Sequence, residues 1–278
     1  MSISDRYDIA EKSLKSFTRS KVRTKILLYL KDGPKGTGDL EKEMGIRNTT
    51  ILHAIKGLID SDLVDRAEKG YVLTNLGKIQ AFKLNEMIDF VLALEGHRDF
   101  WRIHDISGIP IELLKKIDML VHSEIIASDH FDPLKTQNYF LKEIINSKNV
   151  YGVSPIMMPD FPQLIAKLVK KGSNVNLILT TDILKIIYND HYDLVSELLN
   201  QENFILYRID ETVTAAFTVT DSILNLGLFR IDGGYDLGSD LICTGEDSIK
   251  WGMELFNFYQ EKSELVDVDL CISQIRDL

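Results

Sequence analysis

Three short helical patterns follow one another near the start of the chain, and their spacing constrains the fold more than any other feature. Apolar residues recur at helical spacing over residues 20–31, Thr37–Met44 and residues 48–61. Residues 32–34, Asp-Gly-Pro, end the first helix, because Gly and Pro do not continue a helix. Gly45 provides the tight turn before the third helix. Two helices joined by such a turn predict a helix-turn-helix.

A hairpin is predicted directly after the third helix. Residues 63–66 and 71–74 read as two short strands, and residues 67–70 join them with Gly70 at the tip. A hairpin in this place is the wing of a winged helix-turn-helix. We therefore expect residues 1–74 to be a DNA-binding domain of that α+β fold, followed by a helix from Asn75.

Basic residues are concentrated at this end of the chain. Residues 1–80 contain 15 Lys and Arg against 11 Asp and Glu, whereas the rest contains 17 against 31, for a whole-chain net charge of −10. Phosphate contacts require Lys and Arg, and an acidic remainder is repelled by DNA. The charge partition favours double-stranded DNA as a partner of the N-terminal end.

The third helix has the polar face of a recognition helix, with short polar side chains for base edges and cations for phosphates. Any amphipathic helix has a polar face, so the following wing and the charge partition are what favour DNA. The candidate DNA-binding residues are Arg47, Asn48, Thr50, His53 and Lys56 on this helix, and Arg66 and Lys69 in the wing.

Residues 75–125 form a predicted linker helix and helical middle segment. Apolar side chains in residues 75–95 are spread too widely for a helix surrounded by water, so we expect packing on the downstream domain or on a second subunit. A second subunit would place two DNA-reading heads on adjacent half-sites. A homodimer is therefore the working hypothesis.

The remaining composition excludes several classes of protein. The two cysteines, Cys243 and Cys271, are too few for a disulfide framework and lack zinc-ligand spacing. The six histidines form none of the usual metal-binding pairs. No apolar run approaches the ~20 residues that span a bilayer. We expect a cytoplasmic protein with no metal, no cofactor and no membrane segment.

From Asn149 onward, strand and helix patterns alternate. This alternation predicts an α/β domain over residues 126–264, with a sheet covered on both faces. The tail, residues 265–278, alternates apolar and polar residues, including Val266, Val268 and Leu270, and is expected to add an edge strand to its own sheet or to a neighbour's.

Two sequence blocks carry a family resemblance. One consists of Phe100-Trp101, residues 104–110 (HDISGIP) and Leu113-Leu114; the other is residues 147–156 (SKNVYGVSPI). At these blocks the chain resembles archaeal winged-helix transcription regulators that carry the FilR-type domain of the methanogenesis regulatory protein. The resemblance extends over roughly residues 15–264. His104 and Asp105 are interpreted as structural residues rather than as a catalytic or metal-binding pair.

The order of strands and helices also resembles a phospholipase D-like fold, whose catalytic signature is His-x-Lys, four residues and Asp. Aligning Asp221 with that Asp places Thr214 and Ala216 where His and Lys belong. Neither replacement can form a phosphohistidine or neutralise a phosphate. The resemblance implies a degenerate domain that is not an enzyme and at most binds a ligand. The residues expected to line its pocket are Tyr151, Ser154, Thr214 and Asp221.

These features together predict a DNA-binding transcription regulator with a C-terminal ligand-sensing or assembly domain, in which a small-molecule effector would act through the α/β domain. Two other classes stay open. One is a phosphodiesterase-like hydrolase whose winged helix docks on nucleic acid, and the other is a winged-helix adaptor that contacts proteins.

Overall fold

A computed structural model describes residues 1–266 of the chain. The chain divides into two compact units, Met1–Asp89 and Phe90–Leu278. The elements of the first unit are α1 (Ile3–Thr18), α2 (Lys21–Leu30), α3 (Thr37–Met44), α4 (Asn48–Ile59), β1 (Val64–Ala67), β2 (Gly70–Leu73) and the start of α5 (Asn75–Glu95). Helices α2, α3 and α4 bury Ile26, Leu40 and Ile51 in one core. The predicted winged helix-turn-helix is confirmed, and α1 is an additional helix.

The wing is a two-stranded hairpin with one additional backbone bridge to Lys35. Strands β1 and β2 pair antiparallel from Val64 opposite Leu73 to Ala67 opposite Gly70. Lys35 pairs with Tyr71 on the other side of β2, its N–H donating to the Tyr71 carbonyl at 3.1 Å and its carbonyl accepting at 2.9 Å. Gly70 has a φ of 111°, and the Lys35 carbonyl occupies the place that a Cβ would take there. Only glycine fits this position without a shift of the backbone.

Two local interactions fix the ends of helices in the first unit. Gly45 ends α3 in the left-handed conformation, with a φ of 65°, and its N–H donates to the Glu41 carbonyl at 2.9 Å. The Thr74 hydroxyl accepts from the Gly77 N–H at 2.9 Å and donates to the Asp62 carbonyl at 2.7 Å. Thr74 therefore caps α5 and ties that helix to the turn before the wing.

The second unit is built around one eight-stranded sheet. Its elements are α6 (Arg98–Ile103), α7 (Ile111–Leu114), a 3-10 helix (Ile117–Leu120), β3 (Ser123–Ala127), α8 (Lys135–Ile144), β4 (Asn149–Ser154), α9 (Phe161–Lys170), β5 (Asn174–Thr180), α10 (Thr181–Leu199), β6 (Phe204–Ile209), β7 (Ala215–Thr220), β8 (Ile223–Leu228), β9 (Ser239–Thr244), α11 (Glu246–Gln260) and β10 (Glu264–Leu265). The strand order is β10-β6-β5-β4-β7-β8-β9-β3. Strands β4, β5 and β6 are parallel, and the other pairs are antiparallel. The predicted α/β domain is confirmed as a mixed sheet that also includes β3.

Helices cover both faces of the sheet and bury two separate cores. On one face, Trp251 and Phe256 of α11 pack with Phe217 of β7 and Leu226 of β8. On the other face, α9 and α10 pack over β5 and β6 in a second apolar cluster that includes Leu177. Alternate residues of a strand point to opposite faces of the sheet, so one strand can contribute side chains to both faces.

The last described residues add an edge strand, as predicted for the start of the tail. Glu264 pairs with Arg208 and Leu265 with Tyr207, antiparallel to β6. Val268, Leu270 and Cys271 lie outside the described residues. Across residues 1–266, no helix has the length and apolar character needed to cross a bilayer.

Candidate functional site

The exposed face of α4 is the first candidate site. Thr50, His53 and Lys56 are exposed, as the sequence predicts for a recognition helix. Thr49 and Leu52 are exposed on the same side, and Leu52 keeps 46% of its accessible surface. Helical geometry places Thr49, Leu52, His53 and Lys56 on one continuous stripe. An apolar side chain within such a stripe suits contact with a thymine methyl group.

Asn48 is the first residue of α4 and lies beside Leu52 at the edge of that stripe. Its backbone N–H donates to the Glu41 carboxylate at 3.2 Å, and its side-chain amide donates to the Thr37 hydroxyl at 3.4 Å. Both partners belong to α3, so the half-buried Asn48 holds the two helices of the helix-turn-helix together. The sequence places Asn48 on the DNA-reading face, and the structure turns its side chain toward the protein.

Four predicted phosphate-binding cations surround the α4 stripe and the wing. Arg47 precedes α4, Lys56 lies on it, and Arg66 and Lys69 belong to the wing; all four are exposed. Within residues 1–266, none of the four forms an ion pair. Their charges are therefore available to a polyanion.

Lys35, near the wing, differs from these four cations because it forms an ion pair. Its ammonium group lies 2.8 Å from the Glu43 carboxylate. The hydrogen bond from Lys35 to Glu43 raises the pKa of the lysine. Because Glu43 already compensates its charge, Lys35 is a poorer phosphate ligand than the four unpaired cations.

Arg23 of α2 is a further basic residue beside α4, and no motif in the sequence marks it. Its guanidinium group lies against Gly57 of α4, in the space that a Cβ would fill. A glycine inside a helical pattern signals a close approach of another group. The flank of α4 therefore carries a cation contributed by a different helix.

His104 and Asp105 both form hydrogen bonds with other residues of the second unit, which agrees with their interpretation as structural residues. His104 is buried, with Nδ1 2.7 Å from the Phe100 carbonyl and Nε2 3.0 Å from the Asp236 carboxylate. Asp105 accepts hydrogen bonds from the Ser107 backbone and hydroxyl groups. Burial disfavours the ionised form of Asp236, but hydrogen bonds from Ser239, Gly238 and His104 outweigh burial and lower its pKa. This group of residues anchors the segment before β9.

The structure does not bring together the four residues predicted to line a ligand pocket. Tyr151 points to the α11 face, where its ring lies 5.3 Å from that of Phe256. Thr214 precedes β7 and hydrogen-bonds Ser107 at 3.2 Å. Of the four, Ser154 alone lines the main cavity of the second unit.

Asp221 lies in the turn after β7. Its carboxylate accepts from the Lys148 N–H at 2.7 Å, the Asn149 N–H at 3.0 Å and the Asn149 side chain at 2.7 Å. Burial raises its pKa, but these hydrogen bonds prevail and lower it. Because Thr214 and Asp221 flank opposite ends of β7, the positions aligned with the His-x-Lys and Asp signature do not converge.

A cavity of about 200 Å³ lies on the α9 face of the sheet. Gly152, Thr218 and Asn225 are register neighbours on β4, β7 and β8 and form part of its floor. One residue along, Val153, Phe217 and Leu226 are also register neighbours, but they belong to the core under α11. The small and polar residues of the first row thus leave space on the α9 face of the sheet. The larger apolar residues of the second row fill the core on the α11 face. The apolar wall and rim include Leu134, Phe140, Ile156, Met158, Phe161 and Leu237.

The polar end of the cavity contains Asp240, Asn225 and Tyr235. Asp240 is buried, and one of its carboxylate oxygens accepts from the Asn225 amide at 3.2 Å. Burial raises the pKa of Asp240 to about 6. Burial and the nearby carboxylates of Asp240 and Asp236 also raise the pKa of Tyr235 well above its usual value. No Lys, Arg or His lines the cavity within the described part of the chain.

Comparison with known proteins identifies the family. A model of the methanogenesis regulatory protein FilR1 N-terminal domain matches residues 11–92, and a model of the FilR1 middle domain matches residues 133–262. The chain is 38% identical over 261 residues to the methanogenesis regulatory protein FilR1 of Methanothrix harundinacea (strain 6Ac). The chain belongs to the FilR1 family. The alignment covers 92% of this chain but only 58% of that relative.

Solved structures give weaker likenesses. The archaeal chromatin protein TrmBL2 has a TM-score of 0.43 at 13% identity, covering 83% of this chain and 87% of its own. The phospholipase D family member Nuc from Salmonella typhimurium has a TM-score of 0.38 at 11% identity, covering 52% of this chain and 97% of its own. Both scores are below 0.5, so the FilR1 family assignment rests on the sequence matches.

Proposed function

We propose that this FilR1-family protein is a DNA-binding transcription regulator. The observation that carries the proposal is the exposed α4 stripe together with Arg47, Lys56, Arg66 and Lys69, which form no ion pair within residues 1–266. In this arrangement α4 enters the major groove, where Thr49, Thr50, Leu52 and His53 meet base edges. The four cations bind phosphates on either side, and Asn48 keeps α4 in place on α3.

We propose that the regulator binds DNA as a homodimer. Helix α5 exposes a row of large apolar side chains, namely Leu76, Ile79, Phe82, Met87 and Phe90, each with 43–64% of its surface accessible. Exposed apolar rows of this kind are typical of contacts between protein molecules. A second copy of α5 would cover the row and place two α4 helices on neighbouring half-sites.

The second unit is proposed to sense a ligand rather than to catalyse a reaction. Its cavity is bounded by apolar side chains, several neutral polar groups and one buried carboxylate, and its lining within residues 1–266 contains neither the histidine nor the lysine that phosphodiester cleavage would require. A degenerate phospholipase D-like fold is the finer proposal for this unit, supported by the order of its strands and helices in the sequence. An occupied cavity would change DNA affinity through a coupling free energy between the two units.

An electrophoretic shift assay with the DNA upstream of the protein's own gene tests this function. We expect a shifted complex that weakens between two salt concentrations and weakens further with Lys56→Ala. No shift at low salt, together with capture of a protein partner by the winged helix, would support the adaptor class instead. Cleavage of a phosphodiester substrate that is lost with Asp221→Ala would support the hydrolase class.

A further inference from the structure

The cavity of the second unit combines an apolar interior with a single buried acid. Its volume of about 200 Å³ is smaller than the ~300–1,000 Å³ typical of sites for drug-sized ligands. The ligand must therefore be small. Leu134 and Leu237 at the rim are exposed, with 57% and 69% of their surface accessible, and they mark an apolar entrance.

Asp240 determines which chemical group would be recognised. It is nine-tenths buried and lines the cavity, and among the described residues the hydrogen bond to its carboxylate comes from the neutral amide of Asn225. A buried carboxylate is costly unless a cation or several donors compensate it. The nearest imidazole, that of His104, already hydrogen-bonds the Asp236 carboxylate at 3.0 Å. Asp240 thus lacks a cationic partner of its own.

Gly227 lies against the Asp240 carboxylate and the Tyr235 hydroxyl group. A Cβ at this position would lie 2.7 Å from the second carboxylate oxygen of Asp240 and would also meet the Tyr235 hydroxyl. The absence of a side chain therefore lets Asp240 and Tyr235 approach each other over the floor of the cavity. Two oxygen acceptors at one point suit an ammonium group, which has three N–H donors.

We propose that the cavity binds a small organic amine, with the ammonium group on Asp240 and Tyr235 and the apolar body against Phe140 and Phe161. The absence of Lys, Arg and His from the described lining disfavours phosphates and carboxylates, since a second anion beside Asp240 would be repelled. This inference rests on the proposed sensing role of the second unit and specifies its ligand class.

Calorimetric titration of the full-length protein with matched compounds tests the proposal. The probes are benzylamine, benzyl alcohol and benzoate, with cyclohexylmethylamine, cyclohexylmethanol and cyclohexanecarboxylate as a second set. We expect at least one amine to bind about tenfold or more tightly than its alcohol, while the carboxylates do not bind. An alcohol that binds as tightly as its amine in both sets, or no amine binding at millimolar concentration, overturns the proposal.

Two variants assign the binding to this cavity. Asp240→Asn keeps the size of the side chain and should remove the tenfold preference for the amine, whereas Asp193→Asn on the exposed surface of α10 should retain it. Ala216→Leu fills the cavity floor and should abolish binding of amine and alcohol together. An amine preference that survives in folded Asp240→Asn contradicts the assignment. If that variant does not fold, Ala216→Leu and the wild-type amine-to-alcohol ratio still decide the question.

The regulatory role is measured separately by repeating the DNA shift assay with the amine present. If an amine binds without changing the DNA affinity, the proposed amine site is supported and the proposed coupling between the two units is contradicted. If the protein binds DNA but none of the amines, the proposed DNA-binding function is supported and the proposed amine site is contradicted.

Discussion

The backbone carbonyl of Leu63 occupies the space that a Cβ atom would take on Gly77. The same carbonyl accepts the Thr74 N–H at 3.1 Å, so the entry to the wing and the first turn of α5 are joined at one point. Because the obstructing atom belongs to the backbone, it cannot rotate away as a side chain would. Glycine at position 77 is therefore a packing requirement of the wing.

Replacing Gly77 with Ala should destabilise the first unit by about 1–3 kcal/mol, the usual cost of overpacking. Gly38 in α3 provides a matched control, because a Cβ there meets nothing within 4 Å. Gly38→Ala should stabilise by about 0.5–1 kcal/mol through its better helix propensity. Urea unfolding of both variants measures the difference, and equal effects of the two substitutions would contradict the contact with Leu63.

The salt dependence of DNA binding should show whether the cations of α4 and the wing contact phosphates. If Lys56 and Lys69 each contact a phosphate, replacing either one with Ala should reduce the slope of log K against log salt by about one unit. Lys170→Ala, in the second unit, is the control that should leave the slope unchanged. Fluorescence anisotropy at four salt concentrations gives the slopes. Unchanged slopes in both test variants would remove these residues from the interface.

Asp240 should make the protein less stable as the pH rises. Its folded-state pKa of about 6 lies above the ordinary 3.8, so the folded protein holds this proton more tightly than the unfolded chain does. The resulting stabilisation is complete below pH 3.8 and is lost as the pH rises through 6. Asp240→Asn should therefore gain on the order of 2–3 kcal/mol relative to wild type between pH 4 and pH 7.5.

The groups that set this dependence are the carboxylate of Asp236, which raises the pKa of Asp240, and Asn225 and His104, which lower it. Asp221→Asn is a control of opposite sign, because the folded-state pKa of Asp221 is lowered. Its stabilising contribution exists above pH 3.8 and disappears as the pH falls. Thermal unfolding from pH 2.5 to pH 7.5 separates the two cases, because the Asp221 contribution is lost below pH 3.8 and the Asp240 contribution is lost as the pH rises through 6. A constant difference between wild type and Asp240→Asn would contradict the burial of that charge.

A charge placed on the exposed row of α5 should separate the proposed homodimer. Ile79 keeps 64% of its surface accessible, so Ile79→Asp should leave the fold intact and shift the molecular mass to that of a monomer. Ile186 on α10, at 42% accessible, is the control, and Ile186→Asp should leave the mass unchanged. Light scattering at micromolar concentration measures both. A wild-type protein that is already monomeric under these conditions would overturn the dimer.

The winged helix could be predicted almost residue by residue because its signals are local. Helical spacing, the Gly45 turn and the Gly70 hairpin each act within a few residues of sequence. The first helix, α1, was not predicted; its exposed Ile3 and Tyr7 give it no buried stripe to recognise. The contact of Asn48 with Thr37 could not be predicted, because it depends on how α3 and α4 cross.

The cavity on the α9 face could not be predicted because it depends on the register of strands far apart in sequence. Tyr151 and Ser154 both belong to β4, yet Tyr151 points to the α11 face while Ser154 lines the cavity. A signal was present in β9, because Asp240 is the one charged residue among the four buried residues of that strand.

The row of Gly152, Thr218 and Asn225 lies one position away from the row of Val153, Phe217 and Leu226, on the opposite face of the same three strands. Substitutions in the first row reshape the cavity without removing a side chain from the α11 core. Under the proposed sensing role, relatives that differ in the first row would detect different ligands while keeping a common scaffold. The same separation makes the second unit a suitable starting point for engineering sensors with altered chemical selectivity.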